Sequence, residues 1–215
     1  MNDKILRKEI VDELDWEPSV DAAHIGVAVE AGVVTLTGHV GSYAEKVATE
    51  RAVRRIAGVK AIAQEIEVRY AADKKTADDQ IAKRALDVIA WNLTTPESSI
   101  KVRVQKGWVT LTGTVDWWYQ KADAEHAVRK LSGVTAVSNE IVVEPRVQVS
   151  DLKERIEKAL KRQAELDSGG IRVSVNGSKV TLEGKVKGWR ERDLIERTAW
   201  SAPGVATVDD RIAVL

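Results

Sequence analysis

The chain has 215 residues, 44% of them hydrophobic, and its 33 basic residues equal its 33 acidic residues in number. This apolar fraction is typical of a globular protein with a packed core, and the zero net charge excludes attraction to nucleic acid by an overall positive field. There is no cysteine and there are three scattered histidines. The composition therefore excludes disulfide and thiolate chemistry, and it predicts neither a metal site nor a cofactor.

The first residues mix charged and aliphatic side chains and contain no apolar run of the kind found in signal peptides. Nowhere do eighteen apolar residues follow one another, so we expect no transmembrane segment. These two observations predict a cytoplasmic protein, which would meet a membrane only as a peripheral protein at its inner surface.

One segment recurs three times along the chain. Residues 32–38, GVVTLTG, recur closely as 107–113, GWVTLTG, and more loosely as 178–184, SKVTLEG. In each copy a Gly-Val pair follows the closing glycine after twenty residues. This spacing predicts three tandem domains at 2–70, 76–146 and 150–215, with short polar stretches such as 71–75 and 145–148 where they join. The glycines expected to determine the fold are Gly38, Gly58, Gly113, Gly133, Gly184 and Gly204.

Each copy opens with a predicted helix, because Leu6, Ile10 and Leu14 and their equivalents follow a helical spacing. Two segments of alternating apolar residues come next, at 25–29 and 34–40 in the first copy, and predict two strands. A tight turn between them makes the pair a hairpin. The predicted turn residues are Ala31–Gly32, Lys106–Gly107 and Asn176–Gly177.

A second amphipathic helix follows the hairpin and ends at the Gly-Val pair, because glycine adopts the left-handed conformation that stops a helix. On this helix a basic and an acidic residue stand four residues apart in every copy, a spacing that supports an exposed helix face through ion pairs. The pairs are Lys46 and Glu50, Lys121 and Glu125, and Arg192 and Glu196. A third strand then runs parallel to the second. The predicted fold class is α+β: three tandem α-β-β-α-β modules, each a three-stranded mixed sheet covered on one face by two helices.

This order of elements resembles the BON domain family over nearly the whole chain. The resemblance rests on V-T-L-x-G in the second strand, at 34–38, 109–113 and 180–184, and on the spaced Gly-Val pairs. It implies a non-catalytic bacterial module that binds phospholipid surfaces, peptidoglycan-linked partners or other envelope components, often in stress responses. It carries over no catalytic residue, because the shared motif consists of glycines and aliphatic residues. Many family members are periplasmic, which differs from the location that the first residues predict.

Two aromatic positions are shared between copies. Tyr43, Trp118 and Trp189 all stand at the start of the second helix, and we predict that each anchors packing within its own module. Trp16 and Trp91 also match each other, and we predict that they close the end of the first helix.

Trp108 and Trp117 are different, because their positions hold Lys179 and Ser42 in other copies. Positions that accept such residues are predicted to be exposed. An exposed tryptophan suits a membrane interface or a protein contact. Packing against a neighbouring copy is the alternative.

The second helix carries basic residues in the first two copies, which predict a surface for phospholipid head groups or another partner. Trp117 is expected to lie beside them. A solvated helix face with no ligand is the alternative. The candidate residues are Arg51, Arg54, Arg55, Trp108, Trp117, His126, Arg129 and Lys130.

Catalysis is not predicted. The acid pairs at 78–79 and 209–210 have no recurring partner, and neither a phosphate-binding glycine loop nor an activated nucleophile is recognisable. We therefore predict a non-catalytic protein of osmotic or general stress protection that contacts anionic phospholipid or envelope-associated partners, and no nucleic acid. The alternative is a structural adaptor that binds a protein partner or self-associates without lipid.

Overall fold

The computed structural model describes residues 2–70, 76–92, 100–145, 151–162 and 170–215. Module 1 contains α1 (Asp3–Trp16), β1 (Ile25–Glu30), β2 (Val33–Val40), α2 (Tyr43–Arg54) and β3 (Ala61–Val68). Module 2 contains α3 (Asp78–Asn92), β4 (Ile100–Gln105), β5 (Trp108–Val115), α4 (Trp118–Val128) and β6 (Ala136–Val143). Module 3 contains α5 (Leu152–Arg162), β7 (Arg172–Asn176), β8 (Lys179–Val186), α6 (Trp189–Trp200) and β9 (Thr207–Val214).

Each module has its own three-stranded sheet, in which the second strand lies in the middle. The middle strand pairs antiparallel with the first strand and parallel with the third. The predicted α+β class and the mixed sheets are therefore confirmed. The linker predicted at 71–75 lies outside the described residues, as do residues 146–148 of the second one.

The cores form where the helical and strand periodicities predict. In module 1, Leu6, Ile10 and Leu14 of α1 pack with Val34 and Leu36 of β2, and all five are buried. Modules 2 and 3 have separate clusters at the equivalent positions. Alternate strand residues therefore face the helices, and the others form an outer sheet face that no helix covers.

The fold-determining glycines lie where the backbone requires them. Gly38 has a φ of 108°, and a Cβ atom there would lie 2.0 Å from the carbonyl oxygen of His24. A larger residue therefore meets both strain and a backbone clash. A positive φ is shared by Gly38, Gly58, Gly113, Gly133, Gly184 and Gly204.

The hairpin turns of modules 1 and 2 are held by the first helix. Ala31 and Lys106 have positive φ angles, which residues other than glycine rarely adopt. In module 2, the Asp78 carboxylate at the start of α3 accepts the backbone N–H groups of Lys106 and Gly107 at 2.7 and 2.9 Å. Asp3 does the same for the turn of module 1. These paired bonds offset the strain of the turn.

The turn of module 3 is shifted by one residue from the prediction. Asn176 still pairs with Lys179, so the two turn residues are Gly177 and Ser178 rather than Asn176 and Gly177. Gly177 has a φ of 59°. A glycine at the first turn position accommodates this conformation without strain.

The second helices bond their neighbouring strands instead of forming the predicted ion pairs within the helix. Arg192 donates to the Asp210 carboxylate on β9 at 2.7 Å, and the Lys46 ammonium donates to the carbonyl oxygen of Ile66 on β3 at 2.6 Å. The prediction of Lys46–Glu50 and Arg192–Glu196 pairs is wrong, because these basic side chains lie between helix and sheet.

One amide side chain between the second helix and the sheet has no hydrogen-bond partner among the described residues. Asn139 and Asp210 occupy equivalent positions on β6 and β9, and both bond the second helix of their module. Gln64 stands at that position on β3, but both polar atoms of its amide are buried and find no hydrogen-bond partner among the described residues. Such a group costs stability because it has lost its water without a replacement.

The aromatic residue that begins each second helix contacts the next module. Tyr43 packs against the core of module 2, and burial raises the pKa of its phenol. Trp118 stacks on Trp200 of module 3, with ring centroids 6.0 Å apart and ring planes 17° from parallel. Trp189 packs against the core of module 1. The prediction of packing within one module is wrong for Tyr43 and Trp189, and it holds for Trp118 only in part, since that ring also contacts its own core.

Hydrogen bonds follow the same cyclic order. The indole N–H of Trp189 donates to the carbonyl oxygen of Val59 at 2.9 Å. The hydroxyl of Tyr70, at the end of module 1, donates to the carbonyl oxygen of Val134 at 2.7 Å. Val59 and Val134 are equivalent residues in modules 1 and 2. Module 1 thus contacts module 2, module 2 contacts module 3, and module 3 contacts module 1, so the three modules form a closed head-to-tail ring.

We expect the pair of Trp118 and Trp200 to give an exciton couplet in the far-ultraviolet circular dichroism spectrum, because two indoles whose ring centroids lie 6.0 Å apart couple their transitions strongly. Trp200→Leu should remove the couplet and lower the free energy of unfolding by about 0.5–1.5 kcal/mol. Trp16→Phe is the control, because Trp16 is 83% exposed. A couplet that persists in Trp200→Leu would contradict the contact between modules 2 and 3.

Gln64→Leu is expected to raise the free energy of unfolding by about 1 kcal/mol, since it removes an unsatisfied buried amide and keeps a similar volume. Urea denaturation measures the change. Asn139→Leu is the matched control and should lower stability, because Asn139 donates to the carbonyl oxygen of Lys121 at 2.8 Å. If both substitutions change the free energy of unfolding equally, the difference in hydrogen bonding between Gln64 and Asn139 has no effect on stability.

Candidate anion-binding surface

Two of the predicted basic residues are already paired within the protein. Arg54 donates to the Glu50 carboxylate at 2.7 Å, and its guanidinium lies 5.2 Å from the ring centroid of Trp189 in module 3. Arg55 bonds both Glu13 of α1 and Glu17, the residue that caps the end of this helix. These bonds raise the pKa of Arg55 and lower the pKa of the Glu17 carboxyl. Arg54 and Arg55 therefore hold elements of the fold together.

The other four basic residues come together where module 1 meets module 2. Arg51 of α2 lies close enough to influence both His126 and Arg129 of module 2, and Lys130 adds a further positive charge near His126. Arg129 is half-buried, and its guanidinium donates to the Nδ1 atom of His126. We call Arg51, His126, Arg129 and Lys130 the basic cluster.

The basic cluster is electrostatically unfavourable. Burial, followed by the charges of Arg129, Lys130 and Arg51, lowers the pKa of His126. Burial and the charge of Arg51 lower the pKa of Arg129. Glu125 and Asp123 act in the opposite direction on Arg129 and His126, respectively. Groups of like charge that depress each other's protonation are stabilised when an anion approaches.

The two predicted surface tryptophans are exposed but lie apart from each other. Trp117 is the N-cap of α4 and is 40% exposed, whereas Trp108 begins β5 on the outer sheet face and is 56% exposed. Because β5 separates them, they occupy opposite ends of module 2. Arg129 caps the other end of α4, roughly 18 Å from Trp117 at 1.5 Å per residue. The expectation that Trp117 lies beside the basic residues is therefore wrong.

The most exposed large side chains were expected to be packed. Trp16 and Trp91 are 83% and 89% exposed. The prediction that they close the ends of the first helices is wrong, because α1 and α3 bury a different stripe of residues. Both tryptophans stand near carboxylates, with Asp15 beside Trp16 and Asp87 one turn before Trp91. Acidic neighbours on both helices were the signal for a solvent-facing position.

Neither a metal cluster nor a membrane span is found in the described ranges. No group of three or more histidine, aspartate or glutamate side chains there is arranged to hold a metal ion. No helix among the described residues is long and apolar enough to cross a membrane.

Comparison with known proteins places the chain in a family. The model of the BON domain matches residues 2–70, 77–145 and 148–215. The chain belongs to the BON domain family. Osmotically-inducible protein Y of Escherichia coli (strain K12) is 28% identical over 150 residues, which are 66% of this chain and 72% of that protein.

Two solved structures were also matched by shape. One is CdsD, a structural protein of the type III secretion system of Chlamydia trachomatis, at 15% identity and a TM-score of 0.27, covering 98% of this chain and 92% of that one. The other is the C-terminal domain of CdsD, at 14% identity and the same TM-score, covering both chains completely. At these values the two structures support no inference about the BON modules of this chain.

Arg51→Gln in module 1 is expected to raise the pKa of His126 in module 2, because it removes a positive charge close to the imidazole. NMR titration of the imidazole protons measures this directly. Since folding lowers the pKa of His126 below 6.5, the unfolded chain binds more protons, and stability falls as the pH drops below that value. This acid-induced loss should be smaller in Arg51→Gln. An unchanged pKa would contradict the proximity of modules 1 and 2 at this point.

Proposed function

We propose that this BON protein is a non-catalytic binding protein of the stress response, and that its basic cluster docks on anionic phospholipid surfaces. The observation that carries the proposal is the meeting of four basic side chains from two modules. Such a cluster destabilises the free protein, and a layer of lipid phosphates would relieve the repulsion. Each basic residue near an anionic bilayer contributes about 1 kcal/mol of attraction.

The cluster has the form that a surface ligand requires. Arg51, His126 and Lys130 are exposed, while Arg129 is half-buried between the modules. A flat charged surface can therefore approach the exposed groups without opening the ring. The exposed Trp117 lies on the same helix and offers a second contact with the head-group region, where tryptophan is favoured.

The proposed role in the stress response is based on the similarity to osmotically-inducible protein Y. Osmotically-inducible protein Y is named for its induction by osmotic stress, and this chain belongs to the BON domain family. We extend that role to this chain and place its site of action in the cytoplasm, at the inner surface of the membrane. Nucleic acid is not among the proposed ligands.

A structural adaptor is the second candidate, and the observation that favours it is the exposure of Trp16 and Trp91. Exposed tryptophans are frequent hot spots of protein interfaces. The acidic residues beside them, Asp15 and Asp87, oppose an anionic membrane and suit a protein partner with basic side chains. In that case the first helices, rather than the basic cluster, would contact the partner.

Co-sedimentation with vesicles tests the lipid proposal. We expect salt-sensitive binding to vesicles of phosphatidylcholine and phosphatidylglycerol in equal parts, and none to phosphatidylcholine alone. The double variant Arg51→Gln/Lys130→Gln should weaken binding by roughly 30-fold, because it removes two charges worth about 1 kcal/mol each. Lys8→Gln/Lys60→Gln is the matched control, since both lysines are exposed and lie outside the cluster.

Equal losses in the two double variants would show that only overall charge matters and would contradict the proposed site. Binding to neither type of vesicle would overturn the lipid proposal and leave the adaptor. Trp16→Ala/Trp91→Ala is then the variant to compare with the parent protein in partner capture.

A further inference from the structure

The outer sheet faces of the three modules have diverged in charge. In module 3 the charged side chains of this face neutralise one another: Lys179 and Arg211 both pair with Asp209, at 3.2 and 2.9 Å. In module 1 the equivalents of Lys179, Asp209 and Arg211 are Val33, Ala63 and Glu65, so the two cations of this face are absent there. Among the described residues, neither of these two faces combines an exposed aromatic ring with an unpaired cation.

Among the strands that the structure describes, β5 of module 2 is the only one with a tryptophan on this face. Trp108 lies between Gln105 and Ala136 in the row across the three strands, and the next row is Arg103, Thr110 and Ser138. Its equivalents are Val33 and Lys179. The fold therefore accepts quite different side chains at this position, and the tryptophan is not needed to build the sheet.

A shallow groove of about 460 Å³ lies along these rows. Arg103 has no hydrogen-bond or ion-pair partner among the described residues, and its side chain is exposed. The Glu140 carboxylate accepts the Ser138 hydroxyl at 3.2 Å. The groove is lined by Arg103, Gln105, Lys106, Trp108, Thr110, Thr135, Ser138 and Glu140.

These side chains match the chemistry of a sugar acid. The indole of Trp108 offers an apolar face for the C–H groups of a sugar ring. Gln105, Ser138 and Glu140 provide donors and acceptors for hydroxyl groups. Arg103 presents a planar fork of N–H donors that fits a carboxylate with two bonds. Its positive charge, together with that of Lys106, exceeds the single negative charge of Glu140.

We propose that the outer sheet face of module 2 binds an acidic oligosaccharide, with one ring on Trp108 and a carboxylate on Arg103. A single-stranded nucleic acid fits less well. Sheets that bind such strands use several stacking aromatics and a continuous basic groove, whereas this groove has one aromatic ring and contains Glu140.

The proposed groove is separate from the basic cluster. It lies on the face of the sheet that no helix covers, while the basic cluster lies on the helices at the opposite face. The saccharide proposal therefore does not depend on lipid binding, and substitutions in the groove leave the cluster unchanged.

Isothermal titration of the full chain with tetragalacturonate tests the proposal. Trp108→Val, which introduces the residue of module 1, should weaken binding by roughly tenfold or more. Arg103→Gln should reduce the preference for tetragalacturonate over the neutral tetrasaccharide cellotetraose. Tyr119→Ala is the control for general loss of an exposed aromatic ring, because Tyr119 is 55% exposed and lies outside the groove. It should leave the affinity unchanged.

Four results would overturn the proposal: no binding of tetragalacturonate, binding that survives Trp108→Val, equal binding of cellotetraose, or tighter binding of an oligothymidylate. The last result would identify the face as a nucleic-acid surface. The NMR spectrum of Trp108→Val should retain the dispersion of the parent protein, because Val33 occupies this position in module 1.

Discussion

The arrangement of the whole molecule depends on one aromatic side chain per module, placed at the first residue of the second helix. A module of about seventy residues buries a modest core by itself, and the fully buried residues of each core come from a single module. Tyr43, Trp118 and Trp189 reach from the start of this helix to a neighbouring module, where Trp118 stacks on Trp200 and the Trp189 indole bonds Val59. Because the third module contacts the first, the contacts close, and every module is supported on both sides.

This closure decides which surfaces remain available. The second helices face the junctions between modules, so their cations meet residues of a neighbour rather than water alone. Arg54 lies over Trp189, and Arg51 lies near His126 and Arg129. The outer sheet faces take no part in the ring. They are therefore free to diverge, as the ion pairs of module 3 and the tryptophan of module 2 indicate.

The fold within a module was predictable from the sequence, whereas the contacts between modules were not. Apolar residues recur with a period of 3.6 in a helix and 2 in a strand, and this spacing shows which face of the element is buried, as at Leu6, Ile10 and Leu14. It does not show which part of the protein covers a residue at the end of a helix or strand. Tyr43 and Trp189 therefore looked like local anchors. For the same reason the basic residues of copy 1 formed one apparent surface, although Arg54 and Arg55 are paired and Arg51 is grouped with module 2. The exposed Trp16 and Trp91 were misjudged because tryptophan is usually buried.

The head-to-tail order also has a consequence for shortened versions of the chain. Each module presents an aromatic side chain at the start of its second helix, and a different part of the module receives the aromatic side chain of its neighbour. In a chain of three copies, each of these aromatic side chains packs against another module of the same molecule. A chain of only two copies would leave one aromatic side chain and one receiving surface without a partner. Each of them could then contact a different molecule. Contacts of this kind that do not close generate open polymers. The third copy therefore does more than add a module. It closes the series of contacts within one chain and so prevents the chain from polymerising with other molecules.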